Sequence, residues 1–176
     1  MVTDLIIGVS VSVPEPHAGV LQHAREAYGD PLALKVPPHI TLVPPTPVTE
    51  EELPAVEAHL ARVGATTAPF RIRLRGTGTF RPVTPVVFVT LAEGIGPCGL
   101  LQEKLRRVPL DRELMFPYHP HVTIGHHLDD DRLDQMFKEY YDFHALFEVR
   151  EFWLSEHGPD EVWRPVQAFP LLGTTW

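Results

Sequence analysis

The chain has 176 residues, 44% of them hydrophobic, with a formal charge of −8, enough apolar content for one compact domain or two small lobes sharing an interface. Its acidic balance argues against sequence-blind binding along a nucleic-acid backbone, which needs a basic footprint to release counterions; a short nucleic-acid end or a small phosphoester in a local pocket remains compatible. The lone Cys98 excludes an internal disulfide framework and a cysteine zinc site, which suits a reducing, cytoplasmic setting.

The N-terminal run carries Asp4 where a secretory signal would carry positive charge. No stretch is long enough to cross a membrane as an apolar helix, so no membrane partner is expected. Leu5 to Val13 alternates as a first strand, ended by Pro14 and Pro16. Val20, Leu21, Ala24 and Tyr28 recur at helical spacing up to Gly29. After a strand that starts at His39, Thr49 to Glu52 has the form of a capping box, and Leu53, Val56, Leu60 and Val63 continue as a helical stripe ending at Gly64. Pro54 sits slightly deep in that helix, so its regular hydrogen bonding is expected to begin after the box.

Phe70, Ile72 and Leu74 alternate with Arg71, Arg73 and Arg75, giving a strand with one buried and one basic face, loosened by Gly76 and Gly78. Val86 to Leu91 reads as its neighbour, after a turn with Pro82 and Pro85. Pro97, Leu100, Leu101, Leu105 and Val108 mark a helix with Lys104, Arg106 and Arg107 near its C-terminal end, where the macrodipole favours them. A short strand at His121 precedes an acidic helix start at Asp129 to Asp131, with Leu133, Met136, Phe137 and Tyr140 on one face. From Phe143 the pattern is strand-like, but its parity slips at Arg150 and Glu151, which predicts a bulge or break. Trp163 to Leu171 gives a final strand. Strands and helices mix in two similar halves, with no regular βαβ series and no glycine-rich phosphate loop, which predicts an α+β fold.

Two of these strands carry the same pattern. Pro38-His39-Ile40-Thr41-Leu42 and Pro120-His121-Val122-Thr123-Ile124 both read proline, histidine, apolar, threonine, apolar. Residues two apart share a strand face. Each motif therefore sets an imidazole beside a hydroxyl while its apolar residues face a core. One copy arises readily by chance at a strand edge; two, half a chain apart, point to a shared site.

In-line cleavage of a phosphodiester needs a base on the attacking side and an acid on the leaving side. Two histidines from two half-domains supply both, with one imidazole neutral and one protonated near neutral pH because the ordinary imidazole pKa lies close by. Threonine hydroxyls can donate to the non-bridging phosphate oxygens as charge builds there. Such a site needs neither a metal nor another cofactor.

In HITL and HVTI with their preceding prolines, the sequence resembles the two-histidine (2H) phosphoesterase superfamily, and within it the bacterial RNA 2′,3′-cyclic phosphodiesterases also named 2′-5′ RNA ligases. The resemblance implies a single bilobal domain over residues 1–176: two pseudo-twofold-related lobes of antiparallel sheet with helices outside and a central cleft. His39 and His121 would be the acid/base pair and Thr41 and Thr123 the phosphate-binding residues. The implied reaction opens a 2′,3′-cyclic phosphate on an RNA end or small nucleotide to a 2′-phosphomonoester, and some relatives also join RNA ends through a 2′-5′ bond. Members often carry an arginine shortly after the second motif, where this chain has His126. A monomer is the expected oligomeric state.

Other readings stand beside this one. The same scaffold serves a nucleotide-binding module that leaves cyclic phosphate intact. His119, His121, His126 and His127 form a dense group that suggests a histidine-ligated metal, although no carboxylate follows at tight spacing. The Arg71, Arg73 and Arg75 stripe guides an anionic substrate only if its face borders the cleft, and is otherwise a solvated strand face. Phe80, Tyr118 and Trp153 are base-stacking candidates on the same terms, aromatic residues being more often core.

Overall fold

The computed structural model describes residues 4–174. Alternation of apolar and polar residues builds most of its strands. In β1 (Asp4–Ser12) Ile7, Val9 and Val11 are buried. In α1 (His17–Ala27) Leu21 and Ala24 are buried as expected, but Val20 is 47% exposed and Arg25 takes a buried place instead. Positions 21, 24, 25 and 28 form the stripe at helical spacing, and Val20 falls on its flank.

Strand β2 (His39–Thr49) extends well past its motif in spite of Pro44, Pro45 and Pro47. Those prolines lie beyond the point where β2 meets its second neighbour, at Ile40. Pro44 and Pro45 also fall in the register break with β1, between the paired Val43 and Thr46, where proline is tolerated. The capping box forms as read: Thr49 N–H donates to Glu52 Oε2 (2.8 Å) and Glu52 N–H to Thr49 Oγ1 (3.2 Å). Helix α2 (Leu53–Ala65) then starts with Pro54 in its first turn.

Strands β3 (Phe70–Thr79) and β4 (Val86–Glu93) pair with each other, and α3 (Ile95–Leu105) follows. Its buried stripe is Cys98, Leu101, Gln102 and Leu105. Leu100 and Val108, expected in it, are 64% and 72% exposed, because the helix stops at Leu105 and the true stripe follows i, i+3, i+4, i+7 from Cys98. After β5 (His121–His126), Asp129 caps α4 (Asp130–Glu139) by accepting from Arg132 N–H at 2.9 Å. The chain ends in β6 (His144–Val149), β7 (Glu151–His157) and β8 (Trp163–Pro170).

The eight strands among the described residues form one antiparallel sheet in the order β6-β3-β4-β5-β2-β1-β7-β8. Read outward from the β5/β2 seam, it consists of two four-stranded halves, and each draws strands from both halves of the chain. The parity slip is explained by this exchange. β6 pairs with β3 in one half, β7 pairs with β1 in the other, and Arg150 is the residue between them. The break is a change of partner. One core runs along the helix-bearing face, where Ile40, Leu42, Val122 and Ile124 join Leu21, Leu101, Leu105, Leu133 and Met136.

Candidate active site

The two motif strands are neighbours. The antiparallel pair Ile40↔Val122 joins the halves of the sheet, so its register sets His39 opposite Thr123 and Thr41 opposite His121. Both apolar residues of that pair are fully buried. The four polar side chains therefore share the other face and are half-buried. Diagonal neighbours in such a pair lie about 7–8 Å apart. The result is a square with imidazoles on one diagonal and hydroxyls on the other, open to a group the size of a phosphate.

Each imidazole is fixed in the same way. His39 Nδ1 lies 2.7 Å from the Pro37 carbonyl, and His121 Nδ1 lies 2.7 Å from the His119 carbonyl. The proline between each histidine and that carbonyl restricts the preceding residue to extended backbone, which brings the carbonyl back to the ring. With Nδ1–H donating, Nε2 is the free nitrogen of each neutral ring, so either can accept a proton.

Burial pushes both histidines below the ordinary imidazole value, His121 to about 4, even though each Nδ1 hydrogen bond pulls upward. His119 and His39 add a smaller downward push on His121, and Arg25 does so on His39. Burial thus favours the neutral form of both rings, which runs against the expectation of one neutral and one protonated ring near neutral pH. An anion bound between the rings would favour their protonated form.

The two flanks of the square differ. On the β5 side, Phe80 meets the His121 ring edge-on at 4.8 Å and Phe88 lies at 5.1 Å; both also touch His119. Gly78 makes room for this wall, since a Cβ there would lie 2.6 Å from the Phe88 ring. On the β2 side opens a cleft of about 450 Å³ bounded by His39, Thr41, His126, Trp153 and Trp163. The Trp163 ring lies over Gly8, where a Cβ would approach to 3.0 Å. Tyr118 donates its hydroxyl to the Thr41 carbonyl (2.9 Å), tying the approach to β5 onto β2. Of the three stacking candidates, Trp153 thus borders the cleft, Phe80 backs His121, and Tyr118 is a strut.

Arg25 went unrecognised in the sequence, although an arginine within the 21, 24, 25, 28 stripe was its signal. It is buried against Asp30 (Nε to Oδ2 3.0 Å) and donates to the Val36 carbonyl at 2.8 Å. Asp30 in turn accepts from Leu32 N–H at 2.8 Å. These contacts hold the loop that ends at the Pro37 carbonyl beside His39. Trp163 was read only as the start of a strand; nothing local marked it as a cleft wall.

The dense histidine group divides. His119 lies 6.0 Å from His121 behind the same phenylalanines, whereas His126 stacks on His127 at 3.8 Å and borders the opposite cleft. Among the described residues no three metal-ligating side chains converge. No helix among them is long and apolar enough to cross a membrane. Arg71, Arg73 and Arg75 alternate with buried Ile72 and Leu74 and so project from the face that bears the histidines.

Known proteins resemble the chain in sequence and in fold. The family model of the 2′-5′ RNA ligase superfamily matches residues 13–161. BH1439 of Halalkalibacterium halodurans is 31% identical over 126 residues, 72% of each chain. OB1230 of Oceanobacillus iheyensis is 30% identical over 149 residues, 84% of this chain and 86% of its own. Both carry provisional phosphoesterase names. Among solved structures, TT0787 of Thermus thermophilus aligns with a TM-score of 0.63 at 27% identity, covering 97% of this chain and all of its own. Escherichia coli LigT, solved with 3′-AMP, aligns with a TM-score of 0.73 at 17% identity, covering 96% of this chain and 99% of its own, and shares the fold. LigT has also been solved with ATP.

Proposed function

We propose that this chain, which belongs to the 2′-5′ RNA ligase superfamily, is a phosphoesterase that hydrolyses a 2′,3′-cyclic phosphate on an RNA end or small nucleotide to a 2′-phosphomonoester without a metal. The observation that carries this reading is the square itself: two imidazoles on one diagonal, each with Nδ1 tied to a carbonyl, and two hydroxyls on the other.

The cyclic phosphate sits in the square with its non-bridging oxygens toward the Thr41 and Thr123 hydroxyls, which donate to them. One neutral histidine takes a proton from water through Nε2 as the water oxygen bonds to phosphorus. The bond from phosphorus to O3′ breaks on the opposite side, and the second histidine, protonated at Nε2, gives its proton to the leaving oxygen. The products are a 2′-phosphate and a free 3′-hydroxyl, and the pair has exchanged its proton. A 5′-hydroxyl in place of water would form a 2′-5′ bond by the same steps. The substrate anion raises the imidazole pKa values that burial depresses, so the acid is charged when it is needed.

The flanks favour a nucleoside on the β2 side, where a base can stack on Trp153 or Trp163. Nucleotides bound to LigT, 3′-AMP and ATP, are in keeping with such a ligand. The acidic balance of the chain favours short substrates over long duplexes. The test is turnover of a 2′,3′-cyclic nucleotide in excess chelator, with the product identified by phosphorus NMR. A 2′-phosphomonoester is expected. Binding without turnover would make the protein a nucleotide-binding module, and turnover that dies with EDTA and returns with a divalent ion would assign a metal.

A further inference from the structure

We propose a second anion subsite on the histidine-bearing face, formed by Arg75 with Arg73 and His144, that binds a further phosphate of the substrate on the β5 side of the reacting phosphorus. The proposal rests on the phosphoesterase reading and deepens it. A substrate that uses the subsite has nucleic acid on both sides of the phosphorus, as a 2′-5′ linkage does.

A row of cross-strand partners connects the two places. His121 pairs with Thr90 on β4, the Thr90 hydroxyl donates to the Arg75 carbonyl on β3, and Arg75 pairs with His144 on β6. Arg75 stands two strands from His121, roughly 10 Å along the sheet. An extended arginine side chain covers much of that distance. Beside it opens a cavity of about 310 Å³, lined by Arg73, Arg75, Asp142 and His144.

The electrostatics single out Arg75. Glu93 pairs with Arg71 at 3.3 Å and with Arg73 at 3.5 Å, so Arg75 is the stripe's guanidinium outside an ion pair among the described residues. Asp142 stands at the rim, with its carbonyl 3.5 Å from His144 Nδ1. Glu148 stands opposite Arg71 and is paired with Arg150, so the guanidiniums of Arg71, Arg73, Arg75 and Arg150 face the carboxylates of Glu93, Glu148 and Asp142 and keep a small positive excess, on a chain whose formal charge is −8. An exposed cation beside a cavity attracts a phosphate there, while the acidic remainder of the surface repels one. The opposite flank offers tryptophans for a base, which gives a bound strand its direction.

Two probes test the subsite by equilibrium binding: a 2′-5′-linked ribodinucleotide, and the same molecule with a 3′-phosphate on its 5′-O-linked nucleoside. Both are measured in a His39→Ala background so that the linkage stays intact. The extra phosphate is expected to tighten binding about tenfold, the effect of one charge-assisted contact, and the gain should shrink as salt rises. Adding Arg75→Ala should abolish the gain and leave affinity for the unphosphorylated probe unchanged. No gain without the Arg75 change, or an undiminished gain with it, would overturn the subsite. Cyclic-nucleotide turnover by the unaltered protein is read separately: if it fails while the phosphate preference stands, the phosphoesterase reading falls and the anion subsite survives.

Discussion

Titration of His121 offers a sharp test, because the structure assigns it an extreme value. An ordinary imidazole titrates near 6.5; in the unliganded protein burial against Phe80 and Phe88 pushes His121 to about 4. At pH 7 roughly one unliganded molecule in a thousand then carries a proton there. The unfolded chain binds that proton at 6.5 and the folded chain only near 4, so the unfolded state holds more protons between those values. Stability should therefore rise with pH across that window and be lost on acidification, by about 3 kcal/mol at most from this group. Partial exposure of the ring reduces that figure. Two measurements check it. Proton NMR should place the His121 ring near pH 4 without ligand and move it upward when a nucleoside 3′-phosphate is bound. Urea midpoints of His121→Ala should fall less than those of the parent chain between pH 6.5 and 4. A free-state value at or above 6.5, or equal acid sensitivity in both proteins, would refute the buried-ring reasoning and with it the need for substrate to charge the acid.

His39→Ala and His121→Ala should each lower cyclic-nucleotide turnover by roughly two to four orders of magnitude, with the double variant little worse than the poorer single one; near-full turnover by either folded single variant would sink the paired mechanism. Gly78→Ala drives a Cβ to 2.6 Å from the Phe88 ring, so thermal or denaturant melting should show a loss of about 1–3 kcal/mol, and an unchanged melt would mean that the wall behind His121 yields freely. Arg25→Ala strands Asp30 in the interior beside the His39 loop, at a cost of about 3–5 kcal/mol in denaturant melts, and an Arg25→Ala, Asp30→Ala double variant should recover part of it.

The sequence by itself determined which side chains share a strand face within each motif. A strand repeats every two residues, so His39 with Thr41 and His121 with Thr123 had to share a face, and Ile40 and Val122 had to face away. The same rule placed the basic stripe opposite Ile72 and Leu74, and the three-residue spacing of a helix start placed the capping box at Thr49 and Glu52. Where a helical stripe was anchored on its most apolar residues, as at Val20, Leu100 and Val108, it came out rotated or overlong, because Arg25 and Gln102 occupy buried positions that apolarity does not announce. Only the tertiary structure decided that β2 lies against β5, that β6 joins β3 while β7 joins β1, and that Trp163 closes a cleft against Gly8. Strand partnership depends on contacts between residues far apart in the chain, and no short-range periodicity records it. The depressed histidine pKa values belong to the same class. They follow from burial of the rings, and on the β5 side from Phe80 and Phe88, which the fold brings to His121 from a distant part of the chain.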